Sequence, residues 1–283
     1  MNRSTGPVVA VIGDPIGHSL SPVMHNAAFR AAGLDWSMVA VQVVAGTGAT
    51  AVDRVRSGEF AGLAVTMPLK VEVAHAVDEL DAAAARFQSV NTVVRGTDDR
   101  LVGMSTDGGG FVDSLGAAGV SVAGAKVHVV GAGAAARSII AALGESGASV
   151  ISISNRSFAG AEHAATLHES AVAVDGPEAQ SAVREADVVV NATSVGMGVH
   201  SSDQVLPIEV ALISSHQVVA DIVYHPLETG LLAAARLRGA TVVDGLGMLV
   251  YQAARQSFAW TGIRPDPAAM RRAAETELAQ RAG

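Results

Sequence analysis

With 283 residues, 49% of them hydrophobic, the chain is long enough to form two domains with substantial cores. Its formal net charge of −8 argues against a general attraction to nucleic acid or to anionic membranes. The absence of cysteine excludes disulfides, thiolate metal sites and cysteine nucleophiles, and the nine histidines show no zinc-type spacing, so we expect a cytoplasmic protein without a metal.

The first third of the chain alternates apolar runs with polar turns. The predicted strands, of which the last two form a hairpin, are 8–14, 38–44, 63–67, 91–95 and 101–104. A helix is predicted from Ser21 to about Gly33, because Pro22 suits a first helical turn. The apolar run at 8–12 is too short for a signal peptide, and no stretch is long enough to span a membrane.

From residue 107 onward, strands and helices alternate regularly. A helix begins at 107–110 and leads towards Lys126, and residues 247–283 are predicted to be mostly helical. The predicted strands of this part are 127–130, 150–153, 171–174, 188–192, 218–223 and 241–243. This alternation indicates a doubly wound parallel sheet and therefore an α/β fold. The small residues Ala123-Gly124-Ala125 form the candidate hinge.

A glycine-rich turn follows the apolar run 127–130. Gly131, Gly133 and Ala136 have the spacing of a dinucleotide-binding loop, in which a tight turn and a bare backbone let a pyrophosphate approach a helix N-terminus. Such a turn also occurs as plain packing. The pattern predicts a Rossmann-type dinucleotide-binding domain in the second part of the chain, which leaves the preceding residues for the substrate.

The end of the next predicted strand indicates which dinucleotide is bound. Asn155-Arg156-Ser157 lie there, where the cofactor ribose is expected, and no acidic residue occurs between Val150 and Gly160. A carboxylate would bind the 2′-hydroxyl of NAD, whereas the planar Arg156 guanidinium suits a 2′-phosphate. Unless Arg156 is an ordinary surface arginine, the sequence therefore predicts NADP as the cofactor.

Two residues are candidates for proton chemistry. Lys70 is one of only two lysines among 19 basic residues, and it follows a predicted strand end and a Pro-initiated turn. This places it at the carboxyl edge of a sheet, where open α/β sheets bind ligands, and a lysine, unlike an arginine, can give up its proton. Asp107 precedes three glycines at a helix start, where its alternative role is that of an N-cap.

Hydroxyl and amide side chains are expected to gather around these two residues. They are Ser19 and Ser21, Thr66, and Asn91 with Thr92. Each alone is a common turn or cap residue. Together they suit a small polyhydroxylated acid, because many neutral hydrogen bonds discriminate against a ligand that leaves some of them unmade.

Seven segments resemble shikimate dehydrogenases in order and spacing, and they cover nearly the whole chain. They are GDPIGHSLSP at 13–22, VTMPLK at 65–70, VNT at 90–92, STDG at 105–108, NRS at 155–157, NATSVGM at 191–197 and DGLGMLVYQAA at 244–254. The resemblance implies reversible NADPH-dependent reduction of 3-dehydroshikimate to shikimate, on the chorismate route to aromatic amino acids.

The resemblance also implies residue roles. Lys70 and Asp107 match the catalytic pair. The positions that match substrate contacts are Ser19 and Ser21 for the carboxylate, Thr66, Asn91 and Gln252 for ring hydroxyls, and Tyr224 in the cleft. The positions that match cofactor contacts are Gly131, Ala132, Gly133, Ala134, Ala135, Asn155, Arg156, Ser157, Thr193, Gly245 and Met248.

The implied architecture is an N-terminal α/β substrate domain and a Rossmann-type NADP domain. The C-terminal helices return to the first domain, so the substrate-binding domain comprises 1–107 and 247–283, and the NADP-binding domain comprises 108–246. We expect a monomer or homodimer whose partner is the small-molecule substrate, with no nucleic-acid or membrane partner.

The sequence departs from the family pattern at four places. Ala64 and Ser105 stand where asparagines are common, Gln88-Ser89 replaces a common Gly-Ala pair, and Ala134 replaces a loop glycine, where a positive φ would be costly. Because we expect Ala64 and Ser105 beside the site, a relative that acts on quinate or on an aminoshikimate is a second hypothesis. A third is a non-catalytic NADP-binding sensor, since a Rossmann domain does not by itself imply catalysis.

Overall fold

A computed structural model describes residues 6–198 and 206–282. The chain divides into two compact units: the first comprises Met1–Thr106 and Val250–Gly283, and the second comprises Asp107–Leu249. Asp107 and residues 247–249 therefore belong to the second unit, whereas the sequence analysis assigned them to the first. In the part of the chain that is described, no helix is both long and apolar enough to cross a membrane.

The first unit contains a six-stranded sheet. Its strands are β1 Val8–Gly13, β2 Ser37–Gln42, β3 Gly62–Val65, β4 Glu79–Leu80, β5 Thr92–Arg95 and β6 Leu101–Met104. They lie in the order β2-β1-β3-β5-β6-β4, and β5 runs antiparallel to both neighbours while the other pairs are parallel. The carboxyl ends of β1, β3 and β6 therefore meet the amino end of β5 at one edge of the sheet.

Helices cover both faces of this sheet. They are α1 Ser21–Ala31, α2 Gly48–Arg56, α3 Lys70–Ala76, α4 Ala82–Phe87, the later part of α10 Gly245–Thr261, and α11 Pro267–Ala282. Apolar side chains of α2, α3 and α4 pack on one face around Leu63 and Val65. On the other face, Phe29 of α1 and Trp260 of α10 pack against Val9 of β1. The sheet is thus the middle layer of three, as alternating apolar strands require.

The second unit contains an entirely parallel sheet. Its strands are β7 Lys126–Val130, β8 Val150–Ser154, β9 Ala171–Ala173, β10 Val188–Asn191, β11 Val218–Asp221 and β12 Thr241–Val243. Their order is β12-β11-β10-β7-β8-β9. This is the Rossmann order, in which the chain reverses its direction of winding between β7 and β10, and ligands bind at that switch point. The predicted α/β class and doubly wound sheet are confirmed.

Helices also cover both faces of the second sheet. They are α5 Asp107–Ala117, α6 Ala134–Glu145, α7 Phe158–Ala165, α8 Gly176–Glu185 and α9 Gly230–Leu237, with a 3₁₀ turn at Val210–Leu212. The apolar sides of α5, α6 and α7 share one core with alternate residues of β7 and β8. The apolar sides of α8 and α9 and the 3₁₀ turn form the other core, against β10 and β11.

The hinge predicted at Ala123-Gly124-Ala125 is wrong. These residues lie inside the second unit, in the loop between α5 and β7. The Gly124 N–H donates to the Gly147 carbonyl at 2.8 Å, and the Ala125 carbonyl accepts from the Ser149 N–H at 2.9 Å. Glycine is favoured at position 124 because its φ is 75°, and the segment therefore forms a hydrogen-bonded turn rather than a flexible joint.

Candidate active site

The turn before α1 carries Ser19 and Ser21. The Ser19 hydroxyl oxygen accepts a hydrogen bond from the Ser21 N–H at 3.2 Å. The Arg281 guanidinium of α11 donates to the His18 carbonyl at 2.6 Å, which ties the turn to the C-terminal helix. Ser21 is the first residue of α1, and the first turn of that helix contains no acidic side chain. The positive end of the helix dipole therefore favours a carboxylate ligand near these hydroxyls.

The loop after β3 is held against the end of β1. The Thr66 N–H donates to the Ile12 carbonyl at 2.9 Å, which continues the pairing of the two strands. The Thr66 methyl group packs on Gly13, where an added Cβ would collide with it. Gly13 therefore allows the half-buried Thr66 to lie close to β1 at the edge where the strands end.

Lys70 is the first residue of α3, and its side chain is half-buried. Its carbonyl accepts a hydrogen bond from the Val90 N–H at 2.9 Å, so the residue lies beside the segment that enters β5. The structure thus places Lys70 at the carboxyl edge of a sheet, as the strand–turn–helix pattern predicted. Asn91, the next residue of the neighbouring segment, is buried at the same edge.

Asn91, Thr106 and Gln252 form a buried polar cluster. The Asn91 Oδ1 atom accepts from the Thr106 N–H at 2.9 Å and from the Thr92 hydroxyl at 2.8 Å, and Asn91 Nδ2 donates to Thr106 Oγ1 at 2.9 Å. The Thr106 hydroxyl also lies 3.2 Å from the Gln252 carbonyl oxygen. The cluster brings together Asn91 and Gln252, two predicted substrate contacts that are 161 residues apart in the sequence.

A second layer of buried polar residues supports this cluster. Gln256 Nε2 donates to the Asn91 carbonyl at 3.0 Å, and Gln256 Oε1 lies 3.3 Å from His25 Nε2. Because that oxygen accepts, His25 carries its proton on Nε2 and accepts at Nδ1 from the Ser257 hydroxyl, 2.8 Å away. Burial lowers the pKa of His25 to about 3, against the weaker opposing effect of the Gln256 bond, so the ring is neutral.

In the second unit, Gly131 lies at the switch point of the sheet. It has φ 117°, and a Cβ there would lie 2.9 Å from the Ala192 carbonyl oxygen and 3.1 Å from the Thr193 methyl carbon. Its N–H donates to the Ser154 carbonyl at 2.8 Å. Both the backbone conformation and the close neighbour require glycine at position 131. The absence of a side chain lets the loop after β7 approach the loop after β10.

Gly133 is glycine for a different reason. It is the N-cap of α6 with an extended backbone, and a Cβ there would meet no atom within 4 Å. The open space adjoins the first turn of α6, which has no acidic residue, and the first N–H groups of a helix lack intrahelical partners, so an anion is favoured there.

Ala134 is the first residue of α6. The expected cost of a positive φ at Ala134 is wrong, because the positive φ in this loop belongs to Gly131. Ala132 and Ala135 are half-buried beside them.

The loop after β8 carries Asn155, Arg156 and Ser157. Asn155 Nδ2 donates to the Ser157 carbonyl at 3.0 Å, and a Cβ on Gly160 would lie 2.7 Å from that nitrogen. Arg156 is exposed and forms no ion pair with the residues that the structure describes. An exposed guanidinium at the end of the strand next to β7, with no acidic residue nearby in the loop, fits a 2′-phosphate.

Asn191 and Asp221 shape the loops after β10 and β11. Asn191 Oδ1 accepts from the Thr193 hydroxyl at 2.7 Å, and Asn191 Nδ2 donates to Asp221 Oδ1 at 2.9 Å. The same carboxylate accepts from the Val223 N–H at 3.0 Å and from the Thr229 hydroxyl at 2.7 Å. Burial raises the pKa of Asp221, while these three hydrogen bonds oppose the rise. The network fixes Thr193 next to Gly131.

Tyr224, Gly245 and Met248 all belong to the second unit. Tyr224 is half-buried and directly follows Val223 in the loop that Asp221 holds. Gly245 is the first residue of α10, and a Cβ there would lie 2.5 Å from the Val223 carbonyl oxygen. Glycine therefore lets α10 begin against the loop that carries Tyr224. Met248 packs against the apolar core shared by α5, α6 and α7.

Asp107 is the first residue of α5 and is half-buried. A carboxylate is favourable in the first turn of a helix. The next residue, Gly108, is buried, and an added Cβ would overlap the backbone carbonyl of Ser138 on α6. The close approach of α5 to α6 at Gly108 therefore fixes where Asp107 begins the helix.

The departures from the family pattern lie in different surroundings. Ala64 is buried in the apolar cluster with Phe29 and Trp260, so its side chain belongs to the core rather than to the polar edge where we expected it. Gln88 has φ 49°, a conformation that favours glycine, and its Nε2 donates to the Ala85 carbonyl at 2.8 Å. Ser105 is half-buried between β6 and Thr106.

Sequence reasoning missed the residues that hold the predicted contacts in place. These are His25, Thr106, Asn191, Asp221 and Gln256. Asn191 and Asp221 did offer a signal, because each is a polar residue at the end of an apolar strand. The other three have partners far away in the sequence, and no local pattern indicates such pairs.

Models of three protein domains match this chain. The shikimate dehydrogenase substrate binding domain matches residues 11–93, shikimate / quinate 5-dehydrogenase matches residues 115–224, and the shikimate 5′-dehydrogenase C-terminal domain matches residues 245–275. Six of the seven segments that carried the resemblance fall wholly or partly within these matches, and STDG at 105–108 lies between two of them.

Full-length relatives and solved structures agree with these matches. The NADP(+) shikimate dehydrogenase of Shouchella clausii is 39% identical over 95% of this chain and 98% of its own, and that of Moorella thermoacetica is 41% identical over 96% and 93%. A Thermus thermophilus shikimate 5-dehydrogenase in complex with NADP(H) and shikimate is 34% identical, with a TM-score of 0.86 over 96% of this chain and 99% of that one.

One neighbour carries a different name. Quinate dehydrogenase from Corynebacterium glutamicum, solved in complex with NAD, is 29% identical, with a TM-score of 0.87 over 96% of this chain and 99% of that one. The matched domains and the full-length identity nevertheless agree with one another along almost the entire sequence. The chain belongs to the shikimate dehydrogenase family.

Proposed function

We propose that this protein is an NADP-dependent shikimate dehydrogenase, which reversibly reduces 3-dehydroshikimate to shikimate on the route to chorismate and aromatic amino acids. The observation that carries the proposal is Lys70 at the sheet edge, next to the buried Asn91 cluster, in a chain of which 95% and 96% match two NADP(+) shikimate dehydrogenases. A proton donor beside hydroxyl-binding amides is what reduction of a polyhydroxylated ketone needs.

The chemistry divides between the cofactor and Lys70. NADPH, when bound, supplies a hydride to the C3 carbonyl carbon of the substrate. The Lys70 ammonium donates a proton to the C3 oxygen, so that the ketone becomes a hydroxyl, and the neutral amine then recovers a proton from solvent. In the reverse direction, the amine accepts the hydroxyl proton. Asp107 orients Lys70 and holds a substrate hydroxyl as an acceptor.

The remaining residues of the first unit hold the substrate. Ser19 and Ser21 bind its carboxylate, which the first turn of α1 also favours. We assign Thr66, Asn91 and Gln252 to the ring hydroxyls and Tyr224 to a further substrate contact. We assign the substrate-binding role to the first unit and the NADP-binding role to the second.

The second unit holds the cofactor. The backbone of Gly131, Ala132, Gly133, Ala134 and Ala135 carries the pyrophosphate, and Asn155, Arg156 and Ser157 bind the 2′-phosphate. Thr193, Gly245 and Met248 would contact the ribose and nicotinamide. The open space at Gly133 and the exposed Arg156 support these roles.

We place the enzyme in the cytoplasm, as a monomer or homodimer without a nucleic-acid or membrane partner. The absence of cysteine and the net charge of −8 support this assignment.

Quinate oxidation is the second candidate. The similarity to a quinate dehydrogenase solved with NAD favours it. Against it stands the loop after β8, which has Arg156 and no acidic residue, since an NAD enzyme gains from a carboxylate on the 2′-hydroxyl.

The deciding experiment offers the purified protein shikimate or quinate, each with NADP⁺ or NAD⁺, and follows the reduced nicotinamide by absorbance. We expect kcat/KM to be highest for shikimate with NADP⁺. A preference for quinate would favour the second candidate, and no turnover of either acid would favour a relative that acts on an aminoshikimate or a non-catalytic NADP-binding protein.

A further inference from the structure

The Asn91 side-chain amide has a fixed orientation. Its Oδ1 accepts from the backbone N–H of Thr106 at 2.9 Å. A backbone N–H can only donate, so the amide cannot be turned end for end without placing two donors against each other. Thr92 adds a second donor to the same oxygen, at 2.8 Å. Any contact of this amide with a ligand is therefore made through the nitrogen, and the ligand atom must accept.

The Thr106 hydroxyl completes the arrangement. It lies 2.9 Å from Asn91 Nδ2 and 3.2 Å from the backbone carbonyl of Gln252. A hydroxyl carries one proton, and the Gln252 carbonyl oxygen and Asn91 Oδ1, each 3.2 Å from Thr106 Oγ1, can only accept. The hydroxyl therefore donates towards these two oxygens and accepts from Asn91 Nδ2. Thr106 thus links the residue before β5 to α10 through one cluster of hydrogen bonds, and Asn91, Thr106 and Gln252 are all buried.

We propose that Thr106 is a positioning residue that holds the Asn91 amide nitrogen, and the start of the Gln252 segment, in the geometry that binds a ring hydroxyl of the substrate. The proposal rests on the proposed function, because it concerns the same substrate. The contact between Asn91 Nδ2 and Gln252 Oε1 is 3.5 Å, at the limit of a hydrogen bond, so it is the contact that a ligand oxygen can replace.

The test is the pair Thr106→Val and Thr106→Ser. Valine keeps the shape of threonine and removes the hydroxyl, whereas serine keeps the hydroxyl. We expect Thr106→Val to raise the KM and the calorimetric Kd for shikimate about tenfold, the effect of losing one buried hydrogen bond. The kcat and the KM for NADP⁺ should stay within about twofold of the wild type. The lost interaction stabilises the bound substrate and the transition state equally, so its loss raises the KM for shikimate without lowering kcat. Thr106→Ser should restore most of the shikimate affinity.

Thr261→Val is the matched control. Thr261 is a half-buried threonine of the same unit, and its hydroxyl donates to the Ser257 carbonyl at 2.7 Å without touching Asn91. We expect it to lower the thermal unfolding midpoint while the KM for shikimate is unchanged. If Thr261→Val raises that KM as much as Thr106→Val does, the effect is a general loss of stability and the proposal is overturned.

A double variant tests whether Thr106 acts through Asn91. Asn91→Ala alone should raise the KM for shikimate, and adding Thr106→Val should raise it by clearly less than the product of the two single effects. Fully multiplicative effects would overturn the proposal. If Thr106→Val does not fold, Thr106→Ala and Thr106→Ser take its place in the same comparison.

The wild-type assay separates the two proposals. If the wild-type protein does not turn over shikimate, the proposed function has failed. If it does, and Thr106→Val or Thr106→Ala leaves the KM and Kd for shikimate unchanged, only the role of Thr106 has failed.

Discussion

A Cβ on Gly131 would lie 2.9 Å from the carbonyl oxygen of Ala192, although the two residues are 61 positions apart in the chain. We expect Gly131→Ala to lower the thermal unfolding midpoint and to weaken NADPH binding, because φ 117° and the close carbonyl both oppose a side chain. Gly133→Ala should leave the midpoint nearly unchanged, since nothing lies within 4 Å of its Cβ, yet weaken NADPH binding by covering the pyrophosphate site.

Differential scanning calorimetry and titration of NADPH fluorescence measure these two effects separately. Equal losses of stability in both variants would contradict the different reasons given for the two glycines. Unchanged NADPH affinity in Gly133→Ala would remove this loop from the cofactor site.

The choice between NADP and NAD depends on Arg156. We expect Arg156→Ala to raise the KM for NADP⁺ by ~10- to 100-fold, because a charge-assisted hydrogen bond to the 2′-phosphate is lost. The KM for NAD⁺ should hardly change. Arg184→Ala, which removes another exposed arginine of the second unit, is the control and should alter neither KM. A parallel rise for both cofactors would show that Arg156 does not read the 2′-phosphate.

The second sheet and its cofactor loop could be predicted from sequence because the responsible signals are local. Each parallel strand is a short apolar run, and the glycine at position 131 adjoins the strand whose end it shapes. The helix α2 was not predicted, because part of its support comes from elsewhere. The Glu72 carboxylate of α3 accepts hydrogen bonds from the N–H groups of Gly46 and Gly48, at 2.9 and 3.1 Å, at the start of α2.

The same distinction applies to the candidate site. Resemblance identified Asn91 and Gln252, but the residues that hold them are Thr106 and Gln256, whose partners lie in distant segments. The hinge prediction failed for a similar reason, because small residues indicate either a joint or a tight turn. The hydrogen bonds that Gly124 and Ala125 form with Gly147 and Ser149 distinguish the two.

Lys70 is expected to act through its proton. Lys70→Ala should lower kcat by ~10²- to 10⁴-fold, the usual contribution of a general acid, while the Kd for NADPH is unchanged. Lys70→Arg should be nearly as inactive, because an arginine keeps the charge but cannot release its proton. A high kcat in Lys70→Arg would indicate that only the positive charge matters.

The chain offers a natural control for this experiment. Lys126 is the only other lysine, and it forms an exposed ion pair with Glu185 at 3.3 Å. Exposed pairs contribute little free energy, so Lys126→Ala should keep kcat within about twofold of the wild type. A comparable loss of kcat in both variants would mean that the assay reports damage to the fold.

Stability should depend on pH through His128. Burial between Ser152 and Ser154 lowers the pKa of His128 from 6.5 to about 4. Between these values the unfolded chain binds a proton that the folded protein does not, so the free energy of unfolding falls as the pH falls. From about pH 7 to about pH 4.5 the loss due to this residue is ~2 kcal/mol.

Urea unfolding of the wild type and of His128→Gln, followed by circular dichroism at the two pH values, isolates this effect. Comparing the two proteins cancels groups common to both, such as Asp221, whose raised pKa acts in the opposite direction. We expect the wild type to lose about 2 kcal/mol more than the variant on acidification. Parallel losses would show that His128 is protonated in the folded state near its ordinary pKa.

Two glycines of α5 should respond in opposite ways to alanine. A Cβ on Gly108 would overlap the Ser138 carbonyl and lie 2.9 Å from the Ala142 Cβ, so Gly108→Ala must separate α5 from α6 and should be strongly destabilising. Gly116, eight residues later in the same helix, has open space around its Cβ position, and Gly116→Ala should stabilise by up to ~1 kcal/mol. Because α5 begins at Asp107, Gly108→Ala should also lower kcat, whereas Gly116→Ala should not. Thermal unfolding and steady-state kinetics of the two variants measure both effects. A stable, fully active Gly108→Ala protein would show that the close packing of α5 on α6 is not needed to position Asp107.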